Sequence, residues 1–359
     1  TLTYRLTPPS NSNPAATPAN SAESVPRLAT TSAPSATVAL AALVVANLGT
    51  LAAEFAGVAA GFELLGGVSR YVSVPLAALG VSLLVLRGSF HRVEHVLLAL
   101  TAVFVAYVLS GFLAHPDWAA TAKGLVVPGM PLTRDAVLVA VATLGTTLAP
   151  WGLAFIQSYA VDKRLKVKDL RNERIDVIVG AVLTGVIGLF IVIACAATLH
   201  ARGISINDAG DAARALEPLA GHLAATLFGF GFVGAALLAA AIVPLSTAYS
   251  VSEAFEAPCD IDDALREAPL FYGSFVAMVV VAATLVLIPG APLIPILFLS
   301  QALNAVLLLV LLPFMRRLAR DPEVMGRHVI GGTGRLLTGV ALALVAVSVA
   351  ALAVLTVWG

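Results

Sequence analysis

Nine long apolar stretches, separated by polar loops, constrain the fold of this chain more than any other feature. They cover residues 36–61, 71–86, 95–114, 136–161, 177–199, 219–252, 270–288, 291–315 and 336–358, called segments a to i below. Most of them reach the roughly 17–25 residues that a helix needs to cross a bilayer. Because the backbone in lipid must satisfy its own hydrogen bonds, the segments predict an all-α polytopic membrane protein with nine spans.

The composition and motifs exclude several functional classes. Charged residues make up 12% of the chain, against about 25% in soluble domains. The 21 basic and 21 acidic residues balance, so bulk positive charge gives no case for nucleic-acid binding. No GxSxG, HExxH or P-loop motif occurs, so the sequence offers no recognisable enzyme nucleophile, zinc pair or phosphate loop. We therefore expect a membrane carrier, with no enzymatic activity and no cofactor.

The termini and loops predict two regions and an orientation. Residues 1–35 are rich in Pro, Ser, Thr, Asn and Ala, which predicts a disordered, low-complexity tail. Residues 36–359 form the predicted transmembrane transporter domain. Alternating spans place 16 of the 21 Lys and Arg residues on the side of this tail. The positive-inside rule then predicts a cytoplasmic N-terminus in the plasma (inner) membrane.

Segment d carries a helix-breaking motif at its centre, Gly-Thr-Thr-Leu-Ala-Pro-Trp-Gly from Gly145 to Gly152. Pro150 lacks a backbone donor, and glycines flank it. A break inside a membrane is tolerated where the freed backbone groups face protein or a water-filled cavity, and transporters place substrate there. An ordinary proline kink is the alternative. Polar neighbours favour a site, and they are Thr146, Thr147 and, further along, Gln157 and Ser158.

Two other segments carry polar residues inside the predicted membrane. Glu54, in segment a, is the one Asp, Glu, Lys or Arg residue within the nine segments. Such a carboxylate indicates either a functional group or a structural one bonded to a neighbouring helix. Segment h contains Ser300, Gln301 and Asn304, whose side chains could bind an ion or form hydrogen bonds between helices.

Together, the Gly145–Gly152 motif, the run from Gly49 to Gly57 and the Leu299–Gln301 tripeptide resemble the Nramp superfamily of divalent metal transporters. The resemblance extends from about residue 40 to the end. It implies a LeuT-type fold of two inverted five-helix repeats plus one helix, with substrate between broken helices 1 and 6. Segments a to i would then be family helices 3 to 11, and segment d the broken helix 6.

Several departures from the family pattern bear on the substrate. Typical members carry Met-Pro-His-Asn in helix 6, a second histidine one turn later and an acidic residue on the proton route in helix 3. A thioether favours soft transition metals, whereas oxygen ligands and water suit Mg²⁺. The departures resemble the Nramp-related magnesium transporters, which move hydrated Mg²⁺, and Mn²⁺ as well, without evident proton cotransport. In place of Met-Pro-His-Asn this sequence has Ala149, Pro150, Trp151 and Gly152, so only the proline is kept. The second histidine falls at Ile156 and the acidic position at Leu51.

The first two helices of the family fold have no counterpart in this sequence. The family's broken helix 1 supplies an aspartate that meets the ion, and residues 1–35 stand where that helix would be. Inverted-repeat logic agrees, because a second repeat opening at segment d needs a partner five helices earlier. Only three segments precede it. The sequence therefore predicts a chain that lacks two helices of the fold.

These observations lead to one main interpretation and two alternatives. The resemblance implies a carrier that imports hydrated Mg²⁺, or Mn²⁺, across the bilayer without proton coupling. The metal would meet the carbonyls of Ala149 and Gly152 and the amide of Gln301, while Trp151 shapes the cavity. Glu54 would hold the bundle together or line the inner aqueous path. The alternatives are an ion-coupled carrier of a small organic solute and a truncated chain that transports nothing alone. The oligomeric state stays open.

Overall fold

The fold was analysed in a computed structural model that describes residues 33–87, 102–127, 129, 132–162, 165–204, 209–259, 261, 265–291 and 293–358. All regular secondary structure in these ranges is helical. Short helical turns lie within the connections formed by residues 199–223 and 319–331. The main helices are α1 (Ala33–Gly66), α2 (Arg70–Leu86), α3 (Ala106–Leu113), α4 (Trp118–Val126), α5 (Arg134–Thr147), α6 (Pro150–Asp162), α7 (Leu170–Thr198), α8 (Ala224–Ala254), α9 (Pro269–Leu287), α10 (Leu293–Leu318) and α11 (Gly332–Trp358).

Seven stretches of helix within the described ranges are long and apolar enough to cross a membrane. They are α1, α5 together with α6, and α7 to α11, which correspond to segments a, d, e, f, g, h and i. Segment b forms α2, a shorter helix of 17 residues. Segment c is described only from residue 102 onward, where a 3₁₀ turn leads into α3. Most of the predicted tail, residues 1–32, lies outside the described residues, and α1 already begins at Ala33.

Helix α4 lies in a region that the sequence assigned to a loop. Asp117 caps this helix, since its carboxylate accepts hydrogen bonds from the backbone N–H groups of Ala119 (2.9 Å) and Ala120 (3.0 Å). A side-chain acceptor at this position satisfies donors that the first helical turn leaves unpaired. The cap therefore accounts for the start of a helix that hydropathy alone does not indicate.

Helix α1 lies at the centre of the bundle and packs against α8, α9 and α10. Its buried side chains Leu51, Phe55 and Val58 join the main apolar core with residues of α8 and α9. Gly57 and Gly61 bring α1 close to α8, because a Cβ at Gly57 would lie 3.3 Å from the Ala236 Cβ. Small residues permit such close helix packing in membranes. Leu51, which the resemblance places at an acidic position of the family, is thus part of the apolar core.

Candidate functional site

The helix of segment d is interrupted between α5 and α6. Helix α5 ends at Thr147, Leu148 caps it, and α6 starts at Pro150. Proline removes a donor and disfavours helical geometry in the residue before it, which here is Ala149. Three other described helices, α2, α8 and α10, contain a proline and continue through it. Segment d is therefore interrupted at its proline, whereas those three helices are continuous through theirs.

Ala149 and Gly152 shape the space around the interruption. The Ala149 carbonyl accepts a hydrogen bond from the Gly152 backbone N–H (3.0 Å), which leaves one lone pair on that oxygen. Ala149 is 8% exposed. Gly152 is half-buried, yet a Cβ placed there would meet no atom within 4 Å. The Ala149 carbonyl at the start of α6 therefore keeps a free lone pair, and the nearby Gly152 leaves open space beside the helix.

Trp151 is anchored through its backbone and its ring. Its carbonyl accepts a hydrogen bond from the Ser246 hydroxyl of α8 (2.8 Å). Its half-buried ring packs against the main apolar core. The two contacts fix the first turn of α6 against α8. The Trp151 side chain therefore lies beside the interruption, at the edge of the apolar core.

Gly145, in the last turns of α5, brings the interruption against α10. A Cβ built on Gly145 would overlap the carbonyl oxygen of Gln301 and lie 2.9 Å from the backbone nitrogen of Ala305. Only glycine permits such close approach of two helix backbones. This contact places Gln301 beside the C-terminal end of α5.

Substituting Gly145 by alanine is expected to destabilise the protein, because the new Cβ collides with backbone that cannot move aside. The expected loss is about 1–3 kcal/mol of unfolding free energy, as for overpacked cores. The matched control is Gly152→Ala, whose Cβ meets open space and should not lower stability, since alanine favours a helix more than glycine does. Thermal unfolding in detergent measures both. Equal stability of the two variants would contradict the close approach of α5 and α10.

Gln301 lies at the centre of a buried chain of hydrogen bonds. Its amide Nε2 donates to the Thr50 hydroxyl of α1 (3.2 Å), and its Oε1 accepts from the Asn304 amide (3.0 Å). The Thr50 hydroxyl in turn donates to the Ala46 carbonyl (3.0 Å). Because the Thr50 hydroxyl donates its one hydrogen to that carbonyl, it accepts the hydrogen bond from Gln301 Nε2. Gln301 Oε1 is then the atom that accepts from Asn304, so the donor and acceptor of each bond in the chain are fixed.

The chain of hydrogen bonds ends on an oxygen without a partner. Within the described part of the molecule, Asn304 Oδ1 is fully buried and accepts no hydrogen bond. Asn47, one turn before Thr50 on α1, shows the same pattern. Its amide donates to the Thr247 hydroxyl of α8 (2.9 Å), and its Oδ1 has no partner among the described residues. Buried acceptors of this kind are costly unless a donor, a water molecule or a cation satisfies them.

Glu54 lies on the same stripe of α1 as Asn47 and Thr50, at helical spacings of seven and four residues. It is half-buried and forms no hydrogen bond or ion pair with the described part of the chain. Of its two predicted roles, a structural carboxylate needs a bonding partner on a neighbouring helix. No such partner lies among the described residues.

Three predicted residues lie on the exposed side of the interrupted helix. Thr146, Thr147 and Gln157 are all exposed, and the Thr147 hydroxyl donates to the Thr143 carbonyl of its own helix (2.6 Å). Ser158 points inward instead and donates to the Glu253 carboxylate of α8 (2.7 Å). The structure thus brings Ala149, Gly152, Trp151 and Gln301 towards the interior, and it does not bring the two threonines or Gln157 there.

Sequence reasoning missed the partners that orient the site. Thr50 accepts a hydrogen bond from Gln301, Asn47 donates one to Thr247, and Ser246 donates one to the Trp151 carbonyl. The spacing of Asn47, Thr50 and Glu54 along one helical stripe was the available signal. The Ser246-Thr247 pair within an otherwise apolar helix was a second one.

The polar groups described above share one chemistry, since all of them are oxygen or amide donors and acceptors. They comprise backbone carbonyls at the interruption, the Gln301 and Asn304 amides, the Thr50 hydroxyl and, further along α1, the Glu54 carboxylate. Within the described ranges, no three His, Cys, Asp or Glu side chains cluster as a metal site. Oxygen ligands of this type suit hard cations that keep part of their water shell.

Comparison with known proteins agrees with the resemblance drawn from the motifs. The sequence profile of the Nramp family, described as natural resistance-associated macrophage protein-like, matches residues 27–358. Among individual relatives, the divalent metal cation transporter MntH of Pectobacterium carotovorum subsp. carotovorum (strain PC1) is 33% identical over 191 residues, 52% of this chain. The protein of the same name from Bacillus subtilis (strain 168) is 31% identical over 204 residues, 54% of this chain.

These alignments cover 46% of the Pectobacterium protein and 48% of the Bacillus protein, so the chain spans about half the length of the relatives it matches. The family profile, in contrast, matches almost the whole of this chain. Seven membrane-spanning stretches and an interrupted helix at the family's motif accompany that match. The chain belongs to the Nramp family.

Proposed function

We propose that this protein transports divalent metal cations across a membrane. The interruption between α5 and α6 carries the proposal, because it leaves the Ala149 carbonyl a free lone pair and lies, through Gly145, against the backbone of the buried Gln301. The relatives' name, divalent metal cation transporter, supports the same substrate class. It gives no support to the alternative of a carrier for organic solutes.

The proposed architecture is the LeuT-type inverted repeat with nine spans in this chain. In it, α5 and α6 form the broken helix that opens the second repeat. Helix α2 and the segment containing α3 supply the two spans beyond the seven long stretches. The N-terminus would be cytoplasmic and the membrane the plasma (inner) membrane, since most basic residues lie on that side of the predicted topology.

In the proposed site, the metal meets the carbonyl oxygens of Ala149 and Gly152 and the amide oxygen of Gln301, partly through its bound water. The second lone pair of the Ala149 carbonyl is available to a cation or to one of its waters. The open space beside Gly152 leaves room for those waters. Trp151 borders the cavity, and Glu54 lines the aqueous path along α1.

Hydrated Mg²⁺ is the proposed substrate, with Mn²⁺ as the second ion. The proposed ligands are all oxygens, and no thioether stands at the motif, where the sequence has Ala149. Mg²⁺ loses water reluctantly and binds oxygen, whereas a sulfur ligand selects softer metals. A site of carbonyls, an amide and water therefore favours the hard cation.

Ion uptake by proteoliposomes containing the natural full-length protein tests this proposal. Mg²⁺ and Mn²⁺ are expected to accumulate above empty vesicles, and Cd²⁺ is expected to accumulate much more slowly. Uptake of Cd²⁺ alone would contradict the argument from oxygen ligands. Failure of all three ions to accumulate would contradict the transport proposal itself.

Uptake is also expected to proceed without proton movement. Leu51 occupies the acidic position of the family's proton route and is 0% exposed within the apolar core. A pH-sensitive dye inside the vesicles should therefore report no acidification while Mg²⁺ accumulates. Acidification that scales with the amount of Mg²⁺ would show coupling and would contradict this prediction.

A further inference from the structure

A basic groove lies at the start of α7, away from the interruption in segment d. It has a volume of about 370 Å³ and is bordered on its other side by His328, in the turn between α10 and α11. Lys168, Arg171 and Arg174 line it from α7 and the turn before that helix. Three cations and a histidine therefore face one cavity.

The groove continues into an apolar track along the same helix. Leu170, Ile175 and Ile178 also line it, and the two isoleucines are 51% and 63% exposed. Beyond them, α7 stays apolar and exposed, with Val182 at 60%. The cavity thus joins a cluster of cations to a strip of apolar side chains that faces outward.

Acidic residues occur in the same stretch of sequence but do not line the groove. They are Asp169, Glu173 and Asp176. Asp169 instead accepts a hydrogen bond from the Lys166 backbone N–H (3.0 Å) and caps the turn before α7. In the part of the chain that the structure describes, no carboxylate lies within ion-pair range of Lys168, Arg171 or Arg174. The groove therefore collects positive charge without internal neutralisation.

The spacing of the cations makes this arrangement unfavourable in isolation. Arg171 and Arg174 are separated by three residues on α7, and like charges at this spacing on a helix repel one another. Lys168, in the turn before α7, adds a third positive charge to the groove. An anion placed among them would remove that repulsion. Arginine is well suited to the partner, because its planar guanidinium matches phosphate oxygens in pairs.

The position along α7 matches the headgroup level of a bilayer. The apolar part of the helix, residues 177–198, is about 33 Å long at about 1.5 Å per residue, close to the roughly 30 Å hydrocarbon core. Arg171 and Arg174 come immediately before it, and Ile175 and Ile178 lie at its boundary. A lipid standing against α7 would thus put its phosphate among the arginines and an acyl chain along the isoleucines.

From these observations we infer that the groove binds an anionic phospholipid, with its phosphate between Arg171, Arg174 and Lys168 and one acyl chain along Ile175 and Ile178. Basic pockets at the end of membrane helices recognise such headgroups. The predicted topology places the groove on the cytoplasmic side, where anionic lipids concentrate. The inference stands independently of which ion is transported.

Retention of phosphatidylglycerol by the natural full-length protein, counted by native mass spectrometry after detergent exchange, tests the inference. Arg171→Gln combined with Arg174→Gln is expected to lower retention by about tenfold, since each cation near the lipid phosphate contributes to binding. The matched control combines Arg317→Gln with Arg320→Gln, two exposed arginines at the same spacing but outside the groove. This control should retain the lipid.

The remaining outcomes distinguish a specific lipid site from non-specific electrostatic attraction and from binding of free phosphate. Equal loss in both double variants would mean that overall charge holds the lipid, and it would overturn the inference. Inorganic phosphate should neither displace the lipid nor raise the thermal stability of the wild type. If inorganic phosphate does both and the groove variant abolishes the effect, the groove binds free phosphate and the lipid assignment is wrong.

Discussion

Gln301→Leu is expected to raise the KM for Mg²⁺ uptake by about 10–100-fold. The substitution removes the amide oxygen that the proposed site offers to the cation, from a residue that is 5% exposed. Hydrogen bonds to charged groups contribute about 1.5–3 kcal/mol, and each 1.4 kcal/mol corresponds to a factor of about ten. Initial rates of Mg²⁺ uptake over a range of concentrations measure the change.

Two neighbouring variants separate metal binding from support of the fold. Asn304→Leu breaks the same chain of hydrogen bonds but leaves the Gln301 oxygen in place, so its KM should rise far less. Ser300→Ala removes a hydroxyl that bonds to its own helix (2.8 Å to the Leu297 carbonyl) and should transport normally. A rise of KM in Asn304→Leu equal to that in Gln301→Leu would show that Gln301 acts only through the hydrogen-bond chain.

Ala149→Met is expected to change which metal the protein prefers. It places a thioether at the interruption, where typical family members carry methionine, and sulfur ligands favour soft metals. We expect the ratio of Cd²⁺ to Mg²⁺ uptake to rise by at least about tenfold. The added sulfur ligand favours Cd²⁺, and the space that the larger side chain fills is lost to hydrated Mg²⁺. Parallel uptake of the two ions in the same vesicle preparation gives this ratio directly.

Ala149→Leu is the matched control, because leucine has nearly the volume of methionine and no sulfur. Both side chains enter a buried position and both should slow Mg²⁺ by crowding the cavity. Only the methionine should accelerate Cd²⁺. An equal gain in Cd²⁺ uptake with leucine would attribute the change to shape and would contradict the proposed role of ligand softness.

Local chemistry made the interruption of segment d predictable from the sequence. The backbone restrictions of Pro150 and of the residue before it are local and do not depend on the rest of the fold. The flanking glycines also indicated a break in the helix. The ends of spans were less predictable. Helix α7 begins at Leu170, seven residues before segment e, because a helix can continue into the polar interface where hydropathy no longer marks it.

The orientation of side chains around the site could not be read from the sequence. Segment d is apolar on nearly all sides, so nothing indicated that Thr147 and Gln157 lie on its exposed face. The bond between Gln301 and Thr50 joins residues 251 positions apart. It depends on how α1 and α10 are rotated against each other, and these two helices approach closely at Gly49 and Ser300. Tertiary packing therefore determines hydrogen-bond partners that local sequence patterns do not predict.

Competition between Mg²⁺ and cobalt hexaammine tests the central claim most directly. The complex has the size and shape of fully hydrated Mg²⁺ but cannot exchange its ammonia ligands, so it reports whether the site accepts a cation that keeps its shell. Mg²⁺ uptake by proteoliposomes of the natural protein is predicted to fall competitively as cobalt hexaammine increases. Mg²⁺ uptake that cobalt hexaammine leaves unchanged would contradict recognition of a hydrated cation at the interrupted helix.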